Sequence, residues 1–402
     1  MQLLIPFAAP HGSDDSRYLQ LARDIRCSGG QLYRTEVNAT LHFPPGYPWL
    51  LSLVVGCDDL GWAPVVQRLY GGLTILIACA WATVRFGVGA GWLVFGLLLS
   101  NPALVSSASM LSSEAPHLPL YMGGFLAWFW FARAPGAGPL ILCSLLLGLS
   151  TYVRSYGLLL VGFLPLLILT GLRHCSWRQV MGYASIVLTV WVLVLGPWVV
   201  RNYQLWGHFV PITMAGHSLY SSWFPPGPKQ FGMMANDEVT KEAEKIQNAF
   251  ERDAFFRQAT LTKILADPAG ALLTTARKYV FYLMPFDWEF FGRHNAAGRL
   301  RPSAHFIYLF LMPFFLRFIW QHKGDQGFWV GPMAPFFFGL AMTGIAYGIP
   351  RFRLCVEPLM TIFAAASLFQ WMQDNTWRRA VVAGSYLLIC LVGAYEFGRL
   401  VQ

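Results

Sequence analysis

Long apolar stretches recur along this chain of 402 residues, and they limit its fold more than any other feature. Residues 139–152 and 156–172 are examples, and about 20 apolar residues in a helix cross the roughly 30 Å of hydrocarbon in a bilayer. Only 12% of the residues are charged, about half the share in a typical soluble protein. Because the backbone in a bilayer must satisfy its own hydrogen bonds, helices are strongly favoured. The sequence therefore predicts an all-α, multi-pass transmembrane helical bundle.

Length and apolarity predict about ten spans. They cover residues 62–84, 88–106, 115–132, 139–153, 156–172, 179–200, 303–321, 327–348, 355–373 and 379–397. The pattern divides the chain into four parts. These are an N-terminal part with a first outer loop and juxtamembrane helices (1–61), a transmembrane bundle (62–200), a large outer loop with helices (201–302) and C-terminal transmembrane helices (303–402).

The first polar region predicts short helices lying at the membrane interface. Ser13 suits a helix N-cap, and Asp14 and Asp15 then fall in the first turn, where the helix dipole favours anions. Gly29-Gly30 is typical of a helix end, and "PPGYP" at 44–48 begins a second segment that is interfacial or re-entrant. In the middle region, Asp267-Pro268 has the order of a helix start. An apolar stripe at helical spacing precedes it, made of Val239, Ala243, Ile246 and Phe250.

The net charge of +9 does not indicate nucleic acid, since the positive residues lie between apolar segments and form no long run. Orientation and anionic lipid explain them better. Short-loop positive charges at Arg85, Arg133, Arg173 to Arg178, Lys323 and Arg378-Arg379 are assigned to the cytoplasm. This assignment places residues 10–61, 106–114, 153–155, 201–302 and 349–354 outside, although Arg154, Arg351 and Arg353 oppose the rule.

One set of polar residues is thereby gathered at the outer face. It consists of Asp14, Asp15, Arg17, Glu114, Arg154, Arg201, His217, Arg351 and Arg353. Each has a structural explanation, the acids as helix caps and the arginines as headgroup anchors. As a set they suit chemistry on a lipid-borne phosphate, because a carboxylate accepts a proton from an attacking hydroxyl and guanidinium groups bind phosphate.

The cysteines and carboxylates predict little metal or redox chemistry. The chain has 7 cysteines without a CxxC motif, and several lie inside apolar runs, so we expect neither a metal centre nor a disulfide framework. Asp14, Asp15 and Glu114 are able to hold a divalent cation, but nothing in the sequence requires one. No cofactor is expected.

Five stretches resemble those of a known family. They are "DDSRYLQLARDI", "FPPGYPWLLSL", "LSSEAPHLPLYM", "GPWVVRNYQLWGHFVPI" and "IPRFRLCVEPLMTIFAA". They are similar to motifs of the GT-C glycosyltransferases that use polyprenyl-phosphate sugars, the group of protein O-mannosyltransferases and aminoarabinose transferases. The resemblance runs from residue 13 to about residue 370.

This resemblance implies inverting transfer of a hexose or pentose from an undecaprenyl- or dolichyl-phosphate carrier, at the outer face of the inner membrane of the cell envelope. Asp14 matches the catalytic base, with Asp15 beside it, and Glu114 matches a second-loop acid. The phosphate-binding candidates are Arg17, Arg154, Arg201, Arg351 and Arg353. The expected partners are the lipid-linked sugar, membrane lipids and an acceptor glycan, lipid or protein, without nucleic acid.

Two departures keep other functions open. His42-Phe43 stand where some members carry a charged pair, and residues 1–9 resemble the tail of a first helix that would precede the aspartate motif. A non-catalytic, truncated homologue is one alternative. A flippase or transporter of lipid-linked intermediates is another, although such proteins are expected to have polar residues within spans and paired halves.

Overall fold

The computed structural model describes residues 7, 13–171, 175–212, 215–226, 234–283, 286–287, 303–304, 306–325, 328–329, 331–345, 348, 350–373 and 384. Regular structure in these residues is helical except for a two-residue antiparallel pair, Phe286–Asp287 with Ser303–Ala304. The predicted all-α class is thus confirmed. The predicted span at 379–397 lies outside the described residues apart from Gly384.

Four short helices form an N-terminal layer: α1 (Ser13–Ser28), α2 (Gln31–Thr35), α3 (Val37–His42) and α4 (Gly46–Ser52). Helix α1 has Asp14 and Asp15 in its first turn, as predicted. It ends where Gly29 and Gly30 adopt φ of 69° and 76°, a left-handed conformation that glycine adopts without a Cβ clash. Leu21 of α1 is fully buried, so this layer is packed onto the rest of the protein.

A disulfide joins Cys27 at the end of α1 to Cys57 after α4. The prediction that no disulfide is present is therefore wrong. These two cysteines lie outside the apolar runs, and they meet because α1 folds back along α4. Two arginines of α1 reinforce the contact, since Arg23 donates to the Asp59 carbonyl at 3.1 Å and Arg26 to the Ser52 carbonyl at 3.0 Å.

The central bundle comprises α5 (Ala63–Phe86), α6 (Val88–Leu99), α7 (Pro102–Ala108), α8 (Glu114–Arg133), α9 (Ala137–Val153), α10 (Leu160–Gly171) and α11 (Trp177–Trp206). In the described chain, α5 and α11 are each long and apolar enough to cross a membrane. The pair α6 and α7 is a third candidate, bent by 65°. On α11, Val192 and Leu193 are 68% and 70% exposed, which suits a surface that faces lipid. The protein is therefore a membrane protein.

The predicted span at 88–106 is bent because the chain leaves the helix at Asn101. The side chain of Asn101 accepts hydrogen bonds from the backbone N–H groups of Ala103 and Leu104, at 3.0 and 3.2 Å, and so caps α7. Pro102 then occupies the first helical position, where its missing N–H is tolerated.

The outer-loop region contains α12 (Gly216–Trp223), α13 (Glu238–Lys245), α14 (Ala249–Ala266) and α15 (Pro268–Leu283). The predicted stripe from Val239 to Phe250 does not form one helix. It breaks before Asn248, whose side chain caps α14 by accepting from the Phe250 N–H at 2.9 Å. The predicted helix start at Asp267-Pro268 is confirmed, and the Asp267 carboxylate accepts from the Gly270 N–H at 2.9 Å.

The C-terminal part contains α16 (Phe306–His322), α17 (Ala334–Ile345), α18 (Pro350–Arg353) and α19 (Glu357–Gln373). Helix α19 packs against α16, α6 and α5. It is buried along most of its length, with Phe363 1% exposed among the aromatic side chains of α5, α8 and α16. The core of the bundle therefore lies between α19 and the helices that precede the outer loop.

Candidate active site

A buried ion pair lies where α8 begins and α9 ends. Arg154 Nη1 is 2.6 Å from Glu114 Oε1, and it also donates to the Ser113 hydroxyl at 3.0 Å. The Ser112 hydroxyl donates to the other carboxylate oxygen of Glu114 at 2.6 Å. Because the charges and polar atoms are matched, Glu114 is held at a fixed position although it is fully buried.

Helix α1 covers this pair with Tyr18. Burial raises the pKa of the Tyr18 phenol, the positive charge of Arg154 opposes the rise, and the negative charge of Asp14 adds to it. A hydrogen bond with Ser113 joins the phenol to the residues around the ion pair. Tyr18 thus lies within electrostatic reach of Asp14, Arg154 and Glu114, and it was not among the predicted site residues.

The two neighbouring acids of α1 have different surroundings. Asp14 is exposed, whereas Asp15 is 7% exposed and accepts a hydrogen bond from the Ser16 N–H at 2.9 Å. An exposed carboxylate is accessible to a bound substrate, and a buried one is better suited to hold the helix start. The structure therefore gives the two adjacent acids different positions that the sequence did not separate.

A second polar group lies beside α1, on α2 and α11. Arg17 forms an ion pair with Glu36, the residue between α2 and α3. Arg201 donates to the Tyr33 carbonyl and lies 4.4 Å from the centre of the Trp198 ring. Burial raises the pKa of Tyr33 well above its usual value, with Tyr18 adding to the rise and Arg201 and Arg17 opposing it. Tyr33 therefore connects the surroundings of Arg201 with those of Tyr18.

Arg353 lies in a different environment from the other predicted phosphate ligands. It is 1% exposed, its Nε donates to Glu357 at 2.8 Å, and it also donates to the Tyr282 carbonyl. Glu357 in turn accepts from the Asn101 amide at 3.2 Å. Through these contacts the pair of Arg353 and Glu357 links α15, α7 and α19, which indicates a structural role.

Helix α18 also approaches the first ion pair. The Arg154 guanidinium lies 5.2 Å from the centre of the Phe352 ring. Arg351 belongs to the same short helix, and its side chain lies outside the part of the chain that the structure describes. His217 of the outer-face set contacts His42, with the ring centres 5.6 Å apart.

Lys278 of α15 is a buried cation that the sequence analysis missed. Its side chain is fully buried, with Nζ 3.9 Å from the centre of the Trp223 ring and 3.3 Å from the Gly344 carbonyl oxygen. Burial lowers the pKa of Lys278 to about 7. A lysine on the apolar face of α15 was the available signal, but an amphipathic helix on the membrane surface explained it equally well.

No three His, Cys, Asp or Glu side chains are arranged to share a metal ion in the described residues. Asp14, Asp15 and Glu114 do not form such a group. The expectation that the protein needs neither a metal nor another cofactor stays a prediction.

No protein-family model and no curated protein sequence match the chain. Among solved structures, the archaeal oligosaccharyltransferase AglB from Archaeoglobus fulgidus, in complex with an inhibitory peptide and a dolichol-phosphate, is similar at 14% identity with a TM-score of 0.49. The match covers 96% of this chain and 51% of the AglB chain, so this chain spans about half the length of that protein.

ArnT from Cupriavidus metallidurans is also similar. Its apo structure gives 14% identity and a TM-score of 0.41, covering 90% of this chain and 74% of the ArnT chain. The structure bound to undecaprenyl phosphate gives 16% identity and a TM-score of 0.40, covering 89% and 73%.

Proposed function

We propose that this protein is a membrane glycosyltransferase of the GT-C type, which moves a hexose or pentose from a polyprenyl-phosphate carrier to an acceptor hydroxyl with inversion. One observation carries the proposal. The exposed carboxylate of Asp14 lies on a helix that covers the buried pair of Glu114 and Arg154. An accessible base beside a rigid polar platform suits group transfer at the water–lipid boundary.

In this mechanism Asp14 is the general base. It takes the proton of the acceptor hydroxyl while that oxygen forms a bond to the anomeric carbon of the sugar. The bond from that carbon to the carrier phosphate breaks, and its electron pair leaves on the phosphate oxygen. Attack opposite the leaving group inverts the anomeric centre. The products are the glycosylated acceptor and the free lipid phosphate.

The guanidinium groups near α1 are the candidates for stabilising the leaving phosphate. Arg17 lies one turn after Asp14 and is half-buried, so its charge is accessible from the same side of the helix. Arg201 and Arg154 lie deeper and are held by Asn202 and Glu114, at 2.8 and 2.6 Å. Glu114 is thus proposed as a positioning residue, which fixes Arg154 and the Tyr18 contact beneath the base.

The same chemistry is proposed to face the extracytoplasmic side of the inner membrane. The disulfide between Cys27 and Cys57 supports this orientation, because disulfides persist in oxidising compartments and are rare in the cytosol. The distribution of short-loop positive charges supports it independently. Both observations support the proposal that α1, and with it Asp14, lies on the outer side.

The test is complementation of a deletion strain, with lipid-linked sugars analysed by mass spectrometry. The deletion is expected to accumulate one polyprenyl-phosphate sugar, and the wild-type chain to clear it. Asp14→Asn should leave the accumulation in place, because the amide cannot accept the proton, whereas Asp58→Asn, an exposed acid outside the site, should clear it. An intact Cys27–Cys57 disulfide in both variants would show that they fold. Clearance by Asp14→Asn at the wild-type rate would overturn the assignment of the base.

A further inference from the structure

An open groove lies next to Glu36, the ion-pair partner of Arg17. It has a volume of about 650 Å³ and is formed by the junction of α2 and α3, the end of α11 and the start of α14. Its lining includes Glu36, Trp206 and Arg252. Since Arg17 pairs with Glu36, one ion pair separates the groove from the helix that carries Asp14.

One wall of the groove is aromatic. The rings of His208 and Phe250 are stacked with centres 4.1 Å apart, and Trp206 lies against the same phenylalanine at 6.5 Å. The indole Nε1 of Trp206 is buried and has no hydrogen-bond partner in the described chain. An atom without accessible surface does not reach a ligand in the groove, so the wall offers the exposed His208 ring and the partly exposed Trp206 ring.

The rest of the lining is polar and rich in donors. Asn248 uses its side-chain oxygen to cap α14, which leaves the amide N–H groups to the groove. Asn38 is exposed beside it. Arg252 makes no ion pair within the described residues, whereas Glu36 is already paired with Arg17. The groove therefore offers one uncompensated positive charge together with several neutral donors.

These features fit a sugar better than a lipid chain or an apolar peptide. Aromatic faces cover the apolar faces of sugar rings, and amide and guanidinium donors suit their oxygen atoms. A lipid chain would need a longer apolar channel, and the aliphatic lining here is limited to Val37 and Ala249. The unpaired guanidinium favours a sugar with an acidic substituent.

We propose that this groove is the acceptor subsite and that it binds an acidic sugar of the acceptor glycan. The aromatic wall holds the ring, the Asn248 amide donates to a hydroxyl oxygen, and Arg252 binds the acidic substituent. The assignment of the bound sugar as acceptor rests on the proposed function. The binding of the sugar does not, because it follows from the lining of the groove alone.

The test measures binding to the purified full-length chain in detergent by saturation-transfer NMR. The probes are glucuronic acid and glucose, which differ at the acidic group. The wild-type chain is expected to bind glucuronic acid about tenfold more tightly than glucose, the ratio for one charge-assisted contact of about 1.4 kcal/mol. Arg252→Gln should remove that preference. Arg277→Gln, the same change at an exposed arginine of α15, should retain it.

Two further results separate this proposal from the catalytic one. Asp14→Asn should bind both sugars as the wild type does, because Asp14 does not line the groove. If Asp14→Asn binds both sugars but no longer clears the accumulated lipid-linked sugar, both proposals are supported. If it binds both sugars and still clears the lipid-linked sugar, the base assignment fails and only the binding of sugar by the groove is supported. Equal binding of the two sugars by the wild type, or an unchanged preference in Arg252→Gln, would overturn the acceptor subsite.

Discussion

Glu114 and Arg154 form an ion pair that is almost entirely removed from solvent, with their side chains 1% and 11% exposed. The two residues lie at the start of α8 and the end of α9, and α1 closes over them through Tyr18. Because the two helices pack closely along their length, this pair fixes the end of the bundle on which the N-terminal layer rests.

Breaking this pair should be costly, because the remaining charge would be buried without its partner. We expect Glu114→Gln and Arg154→Gln each to lower the free energy of unfolding by about 3–5 kcal/mol. The double variant should lose clearly less than the sum, since it leaves no orphaned charge. Thermal unfolding of the wild type, the two single variants and the double variant in detergent measures these losses. Arg178→Gln, at an exposed position, is the control. Strict additivity would show that the two side chains do not stabilise each other.

The Cys27–Cys57 disulfide should stabilise the N-terminal layer. Replacing either cysteine with serine is expected to lower the free energy of unfolding by about 2–4 kcal/mol, because the cross-link restricts the unfolded chain. Cys175→Ser, at a free cysteine, is the matched control. Alkylation before and after reduction, followed by mass spectrometry, checks the bond itself. If the native chain labels at both positions without reductant, the cross-link is absent.

The N-terminal layer touches α9 at Gly46, the first residue of α4. A Cβ atom there would lie 2.7 Å from the Tyr152 carbonyl oxygen, which requires one backbone segment to move. We expect Gly46→Ala to lower the free energy of unfolding by about 1–3 kcal/mol. It should also slow clearance of the accumulated lipid-linked sugar in the complementation test, because it displaces α1. Gly72→Ala is the control, since a Cβ there meets nothing within 4 Å. Wild-type melting and clearance in Gly46→Ala would contradict the close approach.

Lys278 should make stability depend on pH. Its pKa is about 7 in the folded protein and about 10.4 in an unfolded chain. Between these values the unfolded state binds more protons, so this residue makes stability rise from pH 7 to pH 10. Below pH 7 the buried charge carries its full penalty. Lys278→Met should abolish this part of the rise, as seen in melting temperatures at pH 6 to 10, whereas Lys323→Met, at an exposed site, should not. Parallel curves for Lys278→Met and the wild type would be evidence against the lowered pKa.

Local signals predicted the helices well. The acids after Ser13 and the glycines at 29–30 bound α1, and Asp267-Pro268 begins α15. The predicted span at 179–200 corresponds to α11, which runs from Trp177 to Trp206. These features depend on caps, turns and hydropathy, which are encoded within a few neighbouring residues.

What the sequence did not reveal depends on segments that are distant along the chain. Tyr18 reaches Ser113, and Arg353 reaches the Tyr282 carbonyl, only after the bundle has formed. The composition of "IPRFRL" indicates charge at a membrane boundary but not that Arg353 is buried. The outer-face set was predicted as one rim. Among its described members, Arg353 pairs with Glu357, His217 lies against His42, and the others lie around α1 and the pair of Glu114 and Arg154.

The bend at Asn101 also has a consequence for synthesis. Its amide donates to Glu357, a partner 256 positions later in the chain. When α6 and α7 enter the bilayer, the ribosome has not yet made Glu357. Until α19 is in place, the Asn101 amide therefore donates to another partner, such as water or a lipid headgroup. The first half of this protein therefore cannot reach its final polar contacts until the last described helix has been inserted.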